Sequence, residues 1–474
     1  MCAVKHTDQI FWIMFWGDAG FSFCSDIRVF VLAIDSNKGD LSPDANFFSR
    51  VFYGWYLVPV FGTVMLLATT PLFHAMGIWA VAMERAFGWN RTQLSLALSF
   101  TRVEGGILGP LEGYLIDRFG TRRMILVGMV IMGCGWLFFS QVNGLIMFYV
   151  AYLIIALGQG LGSWLALNTM LNNWFNRRRS FAIGIANAMA RLGSLILVPL
   201  LAWLVDPDFS SRPGWSETAF VLGIIVLLVA FPITRLLRNR PEDYGLLPDG
   251  DTKEQVAIRK AEALRSGVRL DPPHDFTVGE ALRTHSFWLI SLGHGFTSMV
   301  LLALMLHLAP MMTDLEYSLQ TASFVVSGYT AVSMIFQLIG GYVGDRVPKN
   351  VALMVFTMSQ AIGVFFLTFG PPTLLTAYAF AILFGIGFGG RNPISSSIRG
   401  EYFGRKNFGK IMGISQVPMN VLLLIGPIFA GLMRDTTGSY TVAFGVLGFL
   451  AAVGGICFLF ATKPKIPAKK FHDV

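Results

Sequence analysis

The stretch GYLIDRFGTRR, residues 113–123, decides how this 474-residue chain folds. It closes a long apolar run, and it brings one carboxylate and three arginines together. A related stretch, GYVGDRVPKN, begins at Gly341, in the second half of the chain. One motif that ends two separate apolar runs indicates a chain made of two related halves.

The composition indicates a protein that crosses a membrane many times. Hydrophobic residues make up 54% of the chain, charged residues make up 14%, and the mean hydropathy is +0.60. About a quarter of the residues of a soluble domain are charged, so this chain is too apolar to keep its whole surface in water. Its four cysteines form no CxxC pair and indicate no disulfide framework.

Apolar runs predict twelve membrane-spanning helices, since a bilayer needs about 20 mostly apolar residues per helix. Their predicted limits are 55–83, 92–116, 124–140, 144–174, 180–205, 218–235, 285–312, 319–344, 351–370, 372–398, 409–433 and 440–461. The domains predicted from them are an N-terminal tail at 1–52, a six-helix bundle at 53–235, a polar linker at 236–284, a second bundle at 285–462 and a tail at 463–474.

The distribution of lysine and arginine predicts the orientation in the membrane. With the first tail placed inside, the inner loops and the C-terminus hold fifteen of these residues and the outer loops hold four. Because cytoplasmic loops carry the excess of positive charge, both termini are predicted to be cytoplasmic, in a plasma or inner membrane. The net charge of +8 is thereby explained without a nucleic-acid partner.

Residues 1–52 are predicted to be a cytoplasmic tail. The apolar run IFWIMFW has only seven residues, and no basic start with a cleavage site accompanies it. An unstructured extension from an early start codon is the alternative.

Five residue pairs support an internal repeat. In each pair the two positions are separated by the same distance along the sequence as Gly113 and Gly341, and the pairs are Asp117 and Asp345, Arg118 and Arg346, Phe175 and Phe403, Arg177 and Arg405, and Pro199 and Pro427. Internal repeats of this kind are typical of transporters that hold a central site between two halves.

The first motif resembles the Gly-x-Leu-x-Asp-Arg-x-Gly-x-Arg-Arg loop of the major facilitator superfamily, and the stretch from Gly341 resembles that family's second, weaker copy. The stretch NNWFNRRRSFAIGIANAMARLG, residues 172–193, is similar to a signature of the monocarboxylate and oxalate/formate carriers. The resemblance implies an all-α membrane protein with twelve transmembrane helices in two six-helix, pseudo-symmetric bundles. It also implies secondary active transport by alternating access.

Gly105, Gly109 and Gly113 form a ladder on one face of span two, and such ladders let helices approach closely. Asp117 continues that face, and the resemblance places it against the N-terminus of span eleven. We interpret the cluster as a conformational latch between the halves, with loop arginines that can pair with Asp117; a cluster that only sets topology is the alternative. The predicted latch residues are Gly113, Asp117, Arg118, Gly120, Arg122, Arg123, Asp345 and Arg346.

Ionisable residues inside a membrane are costly and are usually functional. Spans three, six, nine and twelve contain none of Asp, Glu, Lys or Arg, and the resemblance assigns them to a lipid-facing outer layer. Glu112 lies near the predicted end of span two and is expected to belong with the loop cluster. The candidate substrate-binding residues are Arg191, Arg391, Arg102, Asn392, His294 and Gln159, and the proton-coupling candidates are Glu104 and His294.

Three embedded arginines against two embedded glutamates favour an anionic solute, because arginine binds carboxylates through two bonds. Structural ion pairs, for example between Glu104 and an arginine, are the alternative. No ATP-binding phosphate loop is present, so the predicted function is secondary transport of a small organic anion by a monomer. No catalytic residue, metal or cofactor is expected; a carrier of neutral solutes or a hydrolase built on Ser163 and His294 remain alternatives.

Overall fold

A computed structural model describes residues 52–89, 91–205, 213–265, 274–317 and 319–466 of the chain. Within these ranges the secondary structure is helical and contains no strand. The predicted N-terminal tail lies outside the described residues except for Phe52, and the predicted C-terminal tail is described as far as Ile466.

The first half contains the helices of spans one to six. Span one is interrupted by a π-helical turn at Thr70–His74, which contains Pro71, and span four is broken at Ser163. The helices are Gly54–Thr69 and Met76–Phe87 for span one, Arg91–Phe119 for span two, Thr121–Phe139 for span three, Leu145–Gly162 and Trp164–Trp174 for span four, Arg179–Val205 for span five and Gly214–Leu236 for span six.

The second half contains the helices of spans seven to twelve. They are His285–Asp314, Leu319–Gly344, Lys349–Phe369, Leu374–Phe403, Phe408–Thr437 and Thr441–Phe460. Eleven of the described helical segments are long and apolar enough to cross a membrane. Span two is the twelfth predicted segment, and its higher polarity agrees with the charged residues that the sequence places in it.

Glycines allow the helices of each half to pack closely. A side chain at Gly128 of span three would overlap the backbone of Gly162 in span four, and a side chain at Gly340 of span eight would overlap Gly390 in span ten. These contacts bring backbones together without a polar partner, which is how helices associate in an apolar solvent.

Two equivalent helix pairs join the halves. Span two packs along span eleven, and span five packs along span eight. The predicted glycine ladder lies in the first pair, where Gly113 meets the backbone of Gly409 and Gly109 meets Gly413. In the second pair Gly184 meets the backbone of Gln337.

The linker between the halves contains a short helix, Lys253–Arg265, and a helical turn, Val278–Leu282. Thr277 and Glu280 form a capping box at the start of this turn. The hydrogen bond that the Thr277 backbone N–H donates to the Glu280 carboxylate lowers the pKa of that carboxyl. The linker lies at the end of the bundle that carries the turns after spans two, four, eight and ten. We call this end the linker face.

Candidate functional site

A cavity of about 270 Å³ lies between the two halves, beyond the point where spans two and eleven touch. Spans one, two, four and eleven form its wall. No arginine or lysine of the described chain lines it. Its polar lining residues are Thr69, Glu112, Gln159, Ser163, Gln416 and Asn420.

Glu112 is the carboxylate of this wall. Its side chain is 6% exposed and packs against Gly160 of span four, where even a methyl group would overlap the carboxylate. The expectation that Glu112 belongs with the loop cluster was therefore wrong. Gly160 leaves room for the carboxylate to turn toward the interior of the bundle.

Arg191 and Arg391 approach one aromatic ring from opposite halves. The guanidinium carbon of Arg191 lies 4.9 Å from the centroid of the Phe388 ring, and that of Arg391 lies 5.8 Å from it. A cation over a ring face is attracted to it by about 0.5–2 kcal/mol. Two of the arginines predicted to bind substrate therefore meet at Phe388.

Two further spans contribute to the surroundings of Arg191. His74 of span one and Tyr329 of span eight both lie within electrostatic reach of its guanidinium. The Arg191 side chain is part-exposed, whereas Arg391 is 2% exposed. Arg191 is thus the more accessible of the two cations and is placed where four spans from both halves converge.

Arg391 is fixed by an amide from span nine. Its Nε donates to Gln360 Oε1 at 2.9 Å, and Gln360 Nε2 donates to the Thr297 carbonyl at 3.1 Å. Gln360 is fully buried. Gln360 could not be recognised as a site residue from the sequence because span nine has no charged side chain, although a buried glutamine needs polar partners.

Replacing Gln360 with leucine is expected to destabilise the folded protein. Leucine is similar in size but accepts no hydrogen bond, so it leaves the buried Nε–H of Arg391 without its acceptor, at a cost of about 1–3 kcal/mol. Thermal unfolding of detergent-purified protein would measure the loss. Gln416→Leu is the matched control, because Gln416 lines the cavity and is only half-buried; equal unfolding midpoints for both variants would contradict the assignment.

Arg399 is a second buried arginine of span ten, and it is not among the residues predicted from the sequence. It is 1% exposed, its Nε donates to Ser415 Oγ at 2.7 Å, and its Nη2 lies 3.2 Å from His294 Nδ1. A guanidinium can only donate, so His294 Nδ1 accepts and the ring is neutral, with its proton on Nε2. His294 therefore contacts Arg399 and does not line the cavity described above.

The remaining predicted binding residues are placed as follows. Gln159 lines the cavity. Asn392 is half-buried, next to Arg391 in span ten. Arg102 and Glu104 belong to the helix of span two, but their side chains lie outside the described residues.

Asp117 joins the halves at the linker face. Its two carboxylate oxygens accept backbone N–H bonds from Gly409 at 3.0 Å and Lys410 at 2.9 Å, in the first turn of span eleven. The N-terminus of a helix carries partial positive charge and unpaired N–H groups, which suits a carboxylate. This is the contact that the family resemblance implied.

Asp345 makes the equivalent contact on the other side. It accepts N–H bonds from Ser180 and Phe181, both at 2.9 Å, at the start of span five. Lys349 lies 4.0 Å from the same carboxylate. The two aspartates therefore bind the N-termini of two repeat-related helices, and the halves are closed against each other at the linker face.

The loop arginines do not pair with Asp117, contrary to the sequence analysis. Arg118 donates to the Tyr114 hydroxyl at 2.7 Å, and Arg122 and Arg123 are exposed. Arg346 stacks on Tyr342, with 3.4 Å from its guanidinium carbon to the ring centroid. Backbone N–H groups satisfy Asp117 instead, which leaves these arginines at the surface.

Gly120 is required by the turn between spans two and three. Its φ is +86°, and a side chain there would overlap Asn239 of the linker. Asn239 Oδ1 in turn accepts the backbone N–H of Arg122 at 2.9 Å. Gly120 thus allows the linker to approach the latch motif.

Two helical halves that close on each other around a shared cavity define a multi-pass membrane transporter. The chain belongs to the Major Facilitator Superfamily, whose sequence profile matches residues 57–309 and 287–473. It is accordingly a transporter and not an enzyme.

Several carriers resemble this chain. Monocarboxylate transporter 13 of Bos taurus is 26% identical over 85% of this chain and 88% of its own length, and monocarboxylate transporter 1 of Homo sapiens is 25% identical over 85% and 84%. The oxalate:formate antiporter of Oxalobacter formigenes is 24% identical over 50% of each chain. The crystal structure of the E. coli fucose:proton symporter FucP has the same fold, with a TM-score of 0.62, 14% identity and coverage of 87% of this chain and 100% of that one.

Proposed function

We propose that this transporter is a secondary active carrier of a small organic anion, with a monocarboxylate as the first candidate solute. The observation that carries the proposal is the meeting of Arg191 and Arg391, from opposite halves, at Phe388. A carboxylate that replaces the ring as the partner of Arg191 gains a bidentate, charge-assisted pair of hydrogen bonds. The monocarboxylate and oxalate:formate carriers among the relatives support the same solute class.

Closure of the two halves at the linker face supports a mechanism of alternating access. Closure at the linker face rests on contacts between the halves at Asp117 and Asp345, and both halves line the cavity. Breaking these contacts would open the linker face while the solute stays between the halves. Such rocking around a central site is how two-half carriers move solutes.

A comparison of isosteric solutes tests the choice of an anion. Purified protein should bind propionate at least about tenfold more tightly than propionamide, since hydrogen bonds to charged groups contribute about 1.5–3 kcal/mol. Calorimetric titration or a thermal-shift series would measure the ratio. Equal affinities would instead favour the carrier of neutral solutes, for which the uncharged amide groups of the cavity wall would be the binding groups.

Proton coupling is the second part of the proposal. Glu112 is the buried carboxylate of the cavity wall, and His294 is neutral in this conformation and can accept a proton once Arg399 moves away. Glu104 remains a proton-coupling candidate from the sequence. Carboxylate uptake into proteoliposomes should be driven by an inward proton gradient and stopped by a protonophore; uptake that is indifferent to both would contradict coupling.

We infer that the linker face is cytoplasmic, that the carrier lies in the plasma or inner membrane and that it acts as a monomer. The excess of Lys and Arg in the loops of this face supports the orientation. A cysteine at Lys463 should react with an impermeant thiol reagent only after the cells are broken. Reaction in intact cells would contradict this orientation and place the linker face outside the cell.

A further inference from the structure

Two aspartates of the linker, Asp249 and Asp275, each bind one of two repeat-related turns. The turn after span four, residues 176–178, and the turn after span ten, residues 404–406, occupy equivalent positions in the two halves of the repeat. Asp249 accepts backbone N–H bonds from the first turn at 2.9–3.4 Å. Asp275 accepts them from the second turn at 2.7 and 3.1 Å. The two ends of the linker are thus attached to the two halves by the same chemistry.

Both attachments have a specific local backbone geometry. The Asp249 side chain is 2% exposed, and its backbone has φ +62°, a conformation that residues other than glycine rarely adopt. At the other end Gly404 has φ +85°, and a side chain there would overlap the Asp275 carboxylate. Each turn is therefore shaped to receive its aspartate.

A neighbouring ion-pair cluster strengthens the first attachment. Asp251 pairs with Arg177 at 2.5 Å and with Arg259 of the linker helix at 2.7 Å. The hydrogen bond with Asp251 raises the pKa of Arg259. Arg177 therefore contacts only the linker and its own half through these bonds.

Arg405, the repeat equivalent of Arg177, crosses between the halves instead. Its Nη1 donates to the Asn173 carbonyl of the first half at 2.7 Å, and its Nη2 pairs with Glu242 at the start of the linker at 2.8 Å. One guanidinium thus connects the second half with the first half and with the first residues of the linker.

We propose that the linker is a strap over the closed linker face, anchored by Asp249 and Asp275 and fastened by Arg405. The described part of the linker between the two anchors contains the helix Lys253–Arg265, which has 13 residues. The two contacts of Arg405 must break when the linker face opens, so this arginine sets how readily the transporter leaves the closed state. The proposal depends on the transporter class alone and not on the solute.

The repeat supplies a matched pair of variants for the test. Spin labels on cysteines introduced at Phe119, at the end of span two, and at Lys463, after span twelve, report the separation of the halves in a background without the four native cysteines. Both positions are exposed. Arg405→Gln should raise the population at the longer inter-label distance at least about threefold, whereas Arg177→Gln should leave the distance distribution as in the parent protein.

Two further measurements keep the test decisive. Glu242→Gln alters an exposed side chain and should shift the distribution in the same direction as Arg405→Gln, so it replaces that variant if it fails to fold. Raising the salt from about 0.05 to about 0.5 M should also open the parent protein, because the Arg405–Glu242 pair is exposed and screened. The strap is overturned if Arg405→Gln and Glu242→Gln match the parent protein, or if Arg177→Gln shifts the distances equally.

Discussion

Gly113→Ala is expected to reduce transport by more than about tenfold, and Gly113→Val is expected to abolish it. A methyl group at Gly113 would lie well inside contact distance of the Gly409 carbonyl and 3.0 Å from the Lys410 Cα. The obstacle is the backbone of span eleven, which cannot rotate away as a long side chain could. Spans two and eleven must then separate, and the N–H groups move away from Asp117.

The same ladder provides the control. A methyl group at Gly105 would meet only the Asn420 amide, at an ordinary 3.6 Å, so Gly105→Ala should transport nearly as the parent protein does. Alanine favours a helix over glycine by about 0.8–1 kcal/mol, so a loss at position 113 cannot come from weaker helix formation. Uptake in proteoliposomes, together with the distance between labels at Phe119 and Lys463, measures both effects. Normal uptake by Gly113→Ala would mean that this tight packing is not needed in the transport cycle.

The position of Asp117 on the glycine face of span two could be predicted because that pattern is local in the sequence, whereas its partner, the N-terminus of span eleven, was implied by the family resemblance. The glycine ladder defines one helix face, the carboxylate follows on that face, and the motif recurs in the second half from Gly341. A helix N-terminus needs an acceptor for its first N–H groups. Asp117 and its repeat equivalent Asp345 therefore bind the same kind of group, each on its own side of the molecule.

The polar network of the second half could not be predicted in the same way. The predicted limit of span ten was residue 398, which placed Arg399 in a loop, whereas the helix continues to Phe403 and buries Arg399. A charge next to an apolar run usually marks the end of a span. Here the Ser415 hydroxyl and the His294 ring, from two other spans, accept its hydrogen bonds, and no pattern within one helix reveals partners that tertiary packing supplies.

The surroundings of Glu112 could not be predicted from its own helix either. Its position near the end of span two predicts a loop role, but its burial depends on the missing side chain of Gly160, which belongs to another span. Arg191 lies within the helix of span five, as its position in an apolar run of the sequence predicts. That it shares the Phe388 ring with Arg391 depends on how spans five and ten pack.

Arg191→Gln is expected to lower the uptake of small carboxylates by roughly 10- to 150-fold, which corresponds to the loss of about 1.5–3 kcal/mol of charge-assisted hydrogen bonding. Arg191→Lys should recover only part of the loss, because lysine keeps the charge but not the planar pair of donors that matches a carboxylate. Arg434→Gln is the control: this part-exposed arginine pairs with Asp314 at 2.8 Å, and its removal should leave uptake near that of the parent protein.

Measurements of carboxylate affinity and of thermal stability together separate solute binding by Arg191 from a purely structural role. If Arg191 binds the solute, glutamine should weaken carboxylate binding in titrations with detergent-purified protein, in addition to the fall in the thermal unfolding midpoint that loss of the contact with the Phe388 ring causes. If the arginine only packs on Phe388, the midpoint should fall and carboxylate affinity should persist in the molecules that remain folded. Glutamine at position 191 keeps a polar side chain and removes only the charge and the forked geometry of arginine. If the Arg191→Gln variant folds normally and still prefers propionate to propionamide, Arg191 does not select the anion. Arg391 would then be the cation of this pair that distinguishes the two solutes.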